Sequence, residues 1–225
     1  MIVRGVGERM DTKLWQPSIL ADIPDHNFDP ALPETSAITQ GHTIKEFFEG
    51  YENASKRPQS ENGDPLYLRF KENWPAQEDH FAEILPDQYK DMMANLPLTQ
   101  YTSRDGVLNL ASRLPESFVR IDLGPRLWGG YAKSTYNLQY NVSDAVHVMV
   151  HANTGDSSND ALEILRNSGC NEDLIKSQGS NSSKLGALWN VFHPKDSEKI
   201  KEFVRTQMLE DLRKKFNKLK RYLIS

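Results

Sequence analysis

Tyr101-Thr102-Ser103-Arg104-Asp105-Gly106, continued by Leu108-Asn109-Leu110-Ala111-Ser112-Arg113-Leu114-Pro115, by Phe118-Val119-Arg120 and by Asp122-Leu123-Gly124-Pro125, is the stretch on which the fold of this 225-residue chain turns. Its information lies in the order of its residues rather than in a periodicity. The segments on either side carry the periodic signals. Before it, Phe81, Ile84 and Leu85 and then Tyr89, Met92 and Met93 recur at helical spacing. Pro86 lacks a backbone donor and splits them into two short helices, with the Met pair read as core packing. After it, residues 138–150 become β-branched and alternate, with Val146, Val148 and Val150 on one face and His147, Met149 and His151 on the other, which predicts a strand.

Farther out, Thr43-Ile44-Lys45-Glu46 has capping-box spacing ahead of Phe47, Phe48 and Tyr51, so a short helix starts there with its aromatic face inward and ends near Gly50 and Asn53. Leu66, Leu68 and Phe70 alternate with Tyr67, Arg69 and Lys71 behind the turn Asn62-Gly63-Asp64-Pro65, which predicts a half-buried strand closed by Trp74-Pro75. Pro17, Pro24, Pro30 and Pro33 interrupt the first forty residues, so 1–40 is expected as an extended arm. Residues 153–183, rich in Asn, Ser, Gly and Asp, are expected as a surface insertion. Over 196–224 the apolar residues Ile200, Phe203, Val204, Met208, Leu212, Phe216, Leu219 and Leu223 follow at steps of three or four, which predicts a long amphipathic helix.

The length suffices for one sizeable core, and a single domain over 1–225 is expected. The lone Cys170 excludes an intramolecular disulfide framework, and no C-x-x-C pair is present to hold zinc. The single cysteine makes a reducing compartment, cytosol or nucleus, the best fit, and since no apolar run approaches the ~20 residues of a membrane span, no membrane partner is expected. The net charge is -4, yet Asp196 to Ser225 holds nine Lys/Arg against five Asp/Glu, leaving -8 for residues 1–195. Arg213, Lys214, Lys215, Lys218, Lys220 and Arg221 form a cationic run, read first as a solvated helix face and second as a contact for DNA phosphates or nuclear import. His147 and His151 have the i, i+4 spacing of a helical zinc pair, but on a strand four residues span ~13 Å and one metal cannot bridge them.

The quoted stretch resembles the signature of the lysine demethylase 3 class of JmjC proteins. Leu14-Trp15-x-Pro17, Phe47-x-x-Gly50, Trp74-Pro75, Val142-Ser143-Asp144-Ala145, Gly186-Ala187-Leu188-Trp189 and Lys195-Asp196-x-Glu198-Lys199-Ile200 agree in order, so the match covers residues 1 to about 204. The resemblance implies an α+β fold, a JmjC double-stranded β-helix (jelly roll, cupin-like) with outer helices, incomplete here. It also implies a nuclear chromatin protein whose family uses Fe(II) and 2-oxoglutarate to demethylate lysine nine of the histone H3 tail. Composition and periodicity by themselves reach only a soluble α+β domain.

Such an iron site needs two histidines and a carboxylate on one face of the metal. The resemblance places the first His and the carboxylate as a His-x-Asp pair where this chain has Gln139 and Asn141, and places the keto-acid Thr where it has Tyr136. Neutral amides lack the imidazole donor and the negative charge that hold the cation. The second histidine belongs to a later strand for which these 225 residues offer no candidate. The expectation is therefore no catalytic residue, no bound cofactor and no metal ligand. Three readings stand in this order: a catalytically inactive JmjC domain with a chromatin-interaction role, an active demethylase with a rebuilt site, and a non-functional fragment. The apolar stripe of the last helix adds the expectation of a homo-oligomer.

Overall fold

The computed structural model describes residues 3–24, 28, 30, 41–70, 74–75, 81–115, 117–118, 124–131, 134, 136, 138–139, 144–153, 163, 165–167, 169–173, 186–187 and 189–222, the last eleven as helix backbone alone. The chain forms two compact units, Met1–Gly186 and Ala187–Ser225.

In the first unit, the segment expected as an extended arm carries two single-turn helices, α1 (Val6–Arg9) and α2 (Pro17–Leu20). Pro17 opens α2 at its first helical position, where a missing N–H costs nothing. Trp15 is only 2% exposed, and its indole Nε1 donates to Asp91 Oδ2 at 2.7 Å. The other oxygen of Asp91 accepts from Asp11 N at 3.1 Å, and Gln88 Nε2 donates to Leu14 O at 3.1 Å, so polar groups of one helix seat the whole N-terminal turn.

Helix α3 (Ile44–Glu52) starts as the spacing predicts, with the Thr43 hydroxyl accepting from Glu46 N and the Glu46 carboxylate accepting from Thr43 N. It runs through Gly50 to the cap at Asn53, so Gly50 does not end it. A Cβ on Gly50 would stand 2.5 Å from Tyr131 Oη and 3.2 Å from Arg57 Cα, so the missing side chain makes room rather than breaking the helix. Pro86 divides α4 (Phe81–Ile84) from α5 (Pro86–Asn95) as expected, and α6 (Thr99–Thr102) follows.

The core is an aromatic lattice. Phe28 and Phe70 meet edge to face at 5.0 Å, Phe47 and Phe70 meet tilted at 4.7 Å, and Phe47 stacks on Tyr131 at 4.8 Å. Leu68, Phe70 and Trp74 belong to this lattice, and their backbones pair with residues 127–131 through Tyr131 N to Leu68 O, Phe70 N to Gly129 O and Leu127 N to Trp74 O. The pairing is an isolated antiparallel bridge, Arg69 to Gly130, and Gln59 bridges Pro65 around the predicted turn at Gly63. Arg69, expected on a polar outer face, is 1% exposed, with Gly130 beside its Cβ and the Tyr136 ring over its guanidinium.

Residues 144–150, expected as a strand, run without a ladder partner among the described residues. Of the three valines expected on one face, Val148 and Val150 pack on the core while Val146 is exposed, and a strand also needs a neighbouring backbone to bond. The described residues therefore show helices and two bridges, without the continuous sheet of a double-stranded β-helix. Most of the expected insertion 153–183 lies outside the described residues.

In the second unit, His193 Nδ1 accepts from Lys195 N and caps a short turn that leads into α7 (Ser197–Tyr222), a 26-residue helix close to the predicted 196–224. Ion pairs at i, i+3 join Asp196 to Lys199, Glu198 to Lys201 and Glu202 to Arg205. Phe203 and Met208 are 65% and 62% exposed, and Val204 and Leu209 are exposed as well. Among the described residues no helix is long and apolar enough to cross a membrane.

Candidate functional site

Gly129 and Gly130 follow Trp128 on the segment that pairs with residues 68–70. The chain then turns, with Ser134 N donating to Tyr131 O at 2.9 Å. A Cβ on Gly130 would fall against the Ser134 hydroxyl, so the glycine leaves that side chain room in the turn. The reversal lays Tyr136 back over the segment it has just left. Its hydroxyl donates to Gly129 O at 2.7 Å and accepts from Gly129 N at 3.1 Å. Its ring meets Trp128 at 4.7 Å, and the guanidinium carbon of Arg69 sits 4.8 Å from the ring centroid. Arg69 Nη1 also donates to Phe70 O at 3.3 Å, so the buried cation is held by a carbonyl and a π face.

Two histidines border this cluster on separate aromatic partners. His147 meets Trp128 edge to face at 6.3 Å, and His151 meets Tyr51 at 5.9 Å. Removal from water lowers the pKa of both, since burial penalises the imidazolium; for His151 the nearby Glu52 carboxylate opposes the shift. Burial likewise raises the Tyr51 phenol, partly offset by the Asn153 backbone N–H, which donates to its oxygen at 3.1 Å.

Of the positions singled out in the sequence, Tyr136 is half-buried within the cluster and Gln139 is exposed, while Asn141 lies outside the described residues. The phenol of Tyr136 is committed to the Gly129 peptide, and Gln139 and Asn141 carry neutral amides. These residues do not match the donor set of an Fe(II) site, which calls for imidazoles and a carboxylate. Among the described residues no three His, Cys, Asp or Glu side chains come together as a metal site. The periodic reading did not single out Trp128, Gly129 and Gly130. Two adjacent glycines between aromatic residues were the available signal for a close backbone approach.

No protein-family model matches the chain. Over 218 residues it is 37% identical to lysine-specific demethylase 3A of Gallus gallus, an alignment covering 91% of this chain and 16% of that protein. The chain is a relative of the lysine demethylase 3 class of JmjC proteins. The human lysine-specific demethylase 3A is 36% identical over 218 residues, again 91% of the chain and 16% of the relative. The human protein named probable JmjC domain-containing histone demethylation protein 2C is 36% identical over 222 residues, 91% of the chain and 8% of the relative. The chain thus spans less than a fifth of the length of these relatives, and it is histone demethylase-like over that span.

Proposed function

We propose that this chain is a non-catalytic, histone demethylase-like chromatin protein of the nucleus. The observation that carries the reading is Gln139 and Asn141, two neutral amides at the positions where the lysine demethylase 3 class places a histidine and a carboxylate. Tyr136 supports it: a bulky side chain, already bonded to Gly129 and packed against Trp128 and Arg69, stands where the family has a small hydroxyl residue. The proposed partners are chromatin or the histone H3 tail, by likeness to relatives named as demethylases, and a second copy of the chain through α7. DNA contact through the run from Arg213 to Arg221 is a subsidiary reading that rests on charge alone.

The test is metal titration by calorimetry, with Gln139→Ala/Asn141→Ala as control. The expected result is no difference in Fe(II) affinity between the two proteins, and no formaldehyde above blank when the chain is incubated with 2-oxoglutarate, ascorbate, Fe(II) and a dimethylated H3 peptide. Stoichiometric binding at micromolar or tighter affinity that vanishes in the control, or turnover of the peptide, overturns the reading.

A further inference from the structure

Asn62-Gly63 is the sole Asn-Gly pair in the 225 residues, and it stands at the tip of the turn that brings Gln59 beside Pro65. The turn is closed by Gly63 N donating to Ser60 O at 2.9 Å, Ser60 N to Asp64 O at 2.8 Å and Asp64 N to the Ser60 hydroxyl at 3.2 Å. Gly63 has φ 84°, which glycine adopts without steric cost. Asn62, Gly63 and Asp64 are all exposed. The side-chain amides of Asn53, Asn95, Asn109, Asn153 and Asn171 are each tied by a hydrogen bond, whereas that of Asn62 has none among the described residues.

An asparagine loses its amide when the backbone nitrogen of the next residue attacks the side-chain carbonyl carbon. A side chain on that next residue hinders the approach, and glycine has none. A Cβ placed on Gly63 would meet nothing within 4 Å, so packed neighbours do not hinder it either. The attack also requires the Gly63 N–H to give up its proton, and the closed turn holds that N–H against Ser60 O. Reaction therefore proceeds from turns that have opened, a local event at an exposed tip that leaves the core in place.

We infer that Asn62 is a site of spontaneous covalent modification, converted to aspartate and isoaspartate through attack by Gly63 N at a rate gated by the Ser60–Gly63 turn. Gly63 N bonds to Asn62 Cγ as its proton leaves to solvent. The Cγ–Nδ2 bond breaks, and Nδ2 takes a proton from solvent and departs as ammonia, leaving a cyclic imide. Water then adds to one of the two ring carbonyls and the C–N bond there breaks, giving aspartate at Cγ or isoaspartate at the backbone carbon. No oxidant or reductant takes part. Either product sets a third carboxylate beside Glu61 and Asp64, and isoaspartate also adds a backbone carbon inside the loop that the Ser60–Gly63 bond closes.

The test incubates the full chain, folded by circular dichroism, in mildly alkaline buffer beside the same chain unfolded in urea. Samples are digested at acid pH, and mass spectrometry locates each exchange of amide for acid, with isoaspartate resolved from aspartate by chromatography. Asn62 is expected to be the first asparagine converted in the folded chain, with isoaspartate among its products, and to react faster in urea. Ser60→Ala, which removes the bond from Asp64 N, should raise the folded rate about fivefold, the gain in open turns expected from loss of one ordinary hydrogen bond. An Asn62 that remains an amide in the folded chain while the unfolded chain is converted overturns the inference, as does earlier conversion of another asparagine. Aspartate without isoaspartate means direct hydrolysis and overturns attack by Gly63. Equal rates in the folded and unfolded chains overturn the gate, whatever the behaviour of Ser60→Ala.

Discussion

Tyr136 grips the Gly129 peptide at both of its polar groups, donating to the carbonyl at 2.7 Å and accepting from the N–H at 3.1 Å through one hydroxyl oxygen. Tyr136→Phe keeps the ring against Trp128 and beneath Arg69 but removes both bonds; Phe70 N still donates to the Gly129 carbonyl, so the half-buried Gly129 N–H is the group left unsatisfied. A loss of about 1–3 kcal/mol is expected, the usual cost of leaving such groups unsatisfied. Urea denaturation should show it as a lower midpoint at unchanged slope. A midpoint equal to that of the unaltered protein would mean that water replaces the hydroxyl without cost and that the clamp contributes nothing to stability.

Gly50→Ala sets two effects against each other. Alanine ordinarily favours a helix interior over glycine by about 1 kcal/mol. Here the new methyl would stand 2.5 Å from Tyr131 Oη and 3.1 Å from its Cζ, and Tyr131 is held in place by its bond to Phe47 O at 3.0 Å. Overpacking of this kind costs about 1–3 kcal/mol, so the net change should be destabilising. Thermal unfolding of Gly50→Ala, made with and without Tyr131→Leu, checks the cause. The alanine should do less harm where the phenol is gone, and equal harm in both backgrounds would refute the steric account.

Acid should weaken the attachment of residues 144–153. In the folded chain His147 and His151 have pKa values lowered by burial, so folding favours their neutral forms. Stability from this source is fully present above the unfolded histidine value of about 6.5 and is lost as pH falls from there through the folded values. Unfolding midpoints measured at pH 7.5 and pH 5.5 should therefore decline for the unaltered chain. His147→Phe/His151→Phe retains both ring contacts without the titration and should decline less. Parallel declines would assign the acid sensitivity to other groups.

The features readable from the sequence were those decided by neighbours a few residues away. The Thr43–Glu46 capping box and the break at Pro86 are complete within one helical turn, and both appear where expected. Alternation predicts the inward facing of Val148 and Val150 but not the exposure of Val146 on the same face. Gly50 was misread as a terminator because the ring that needs its space belongs to Tyr131, far along the chain. Arg69 looked like a solvent-facing strand residue because nothing local announces that the ring of Tyr136 lies over it. At the candidate site, order along the chain pointed to Tyr136, Gln139 and Asn141. The turn closed by Ser134 N and Tyr131 O brings Tyr136 back onto Trp128, and periodicity does not encode it.

Asp91 binds the indole of Trp15 and the backbone of Asp11, partners 76 and 80 residues away, and Gln88 reaches Leu14 across 74. In kinetic terms these are long loop closures, whose entropy must be met before the contacts return anything. During synthesis the N-terminal turn cannot seat until α5 has emerged, so Trp15 and its apolar neighbours stay uncovered while the first ninety or so residues are made. Burial of the Trp15 indole is therefore a late event in refolding, later than formation of α3, whose cap is closed by residues three apart.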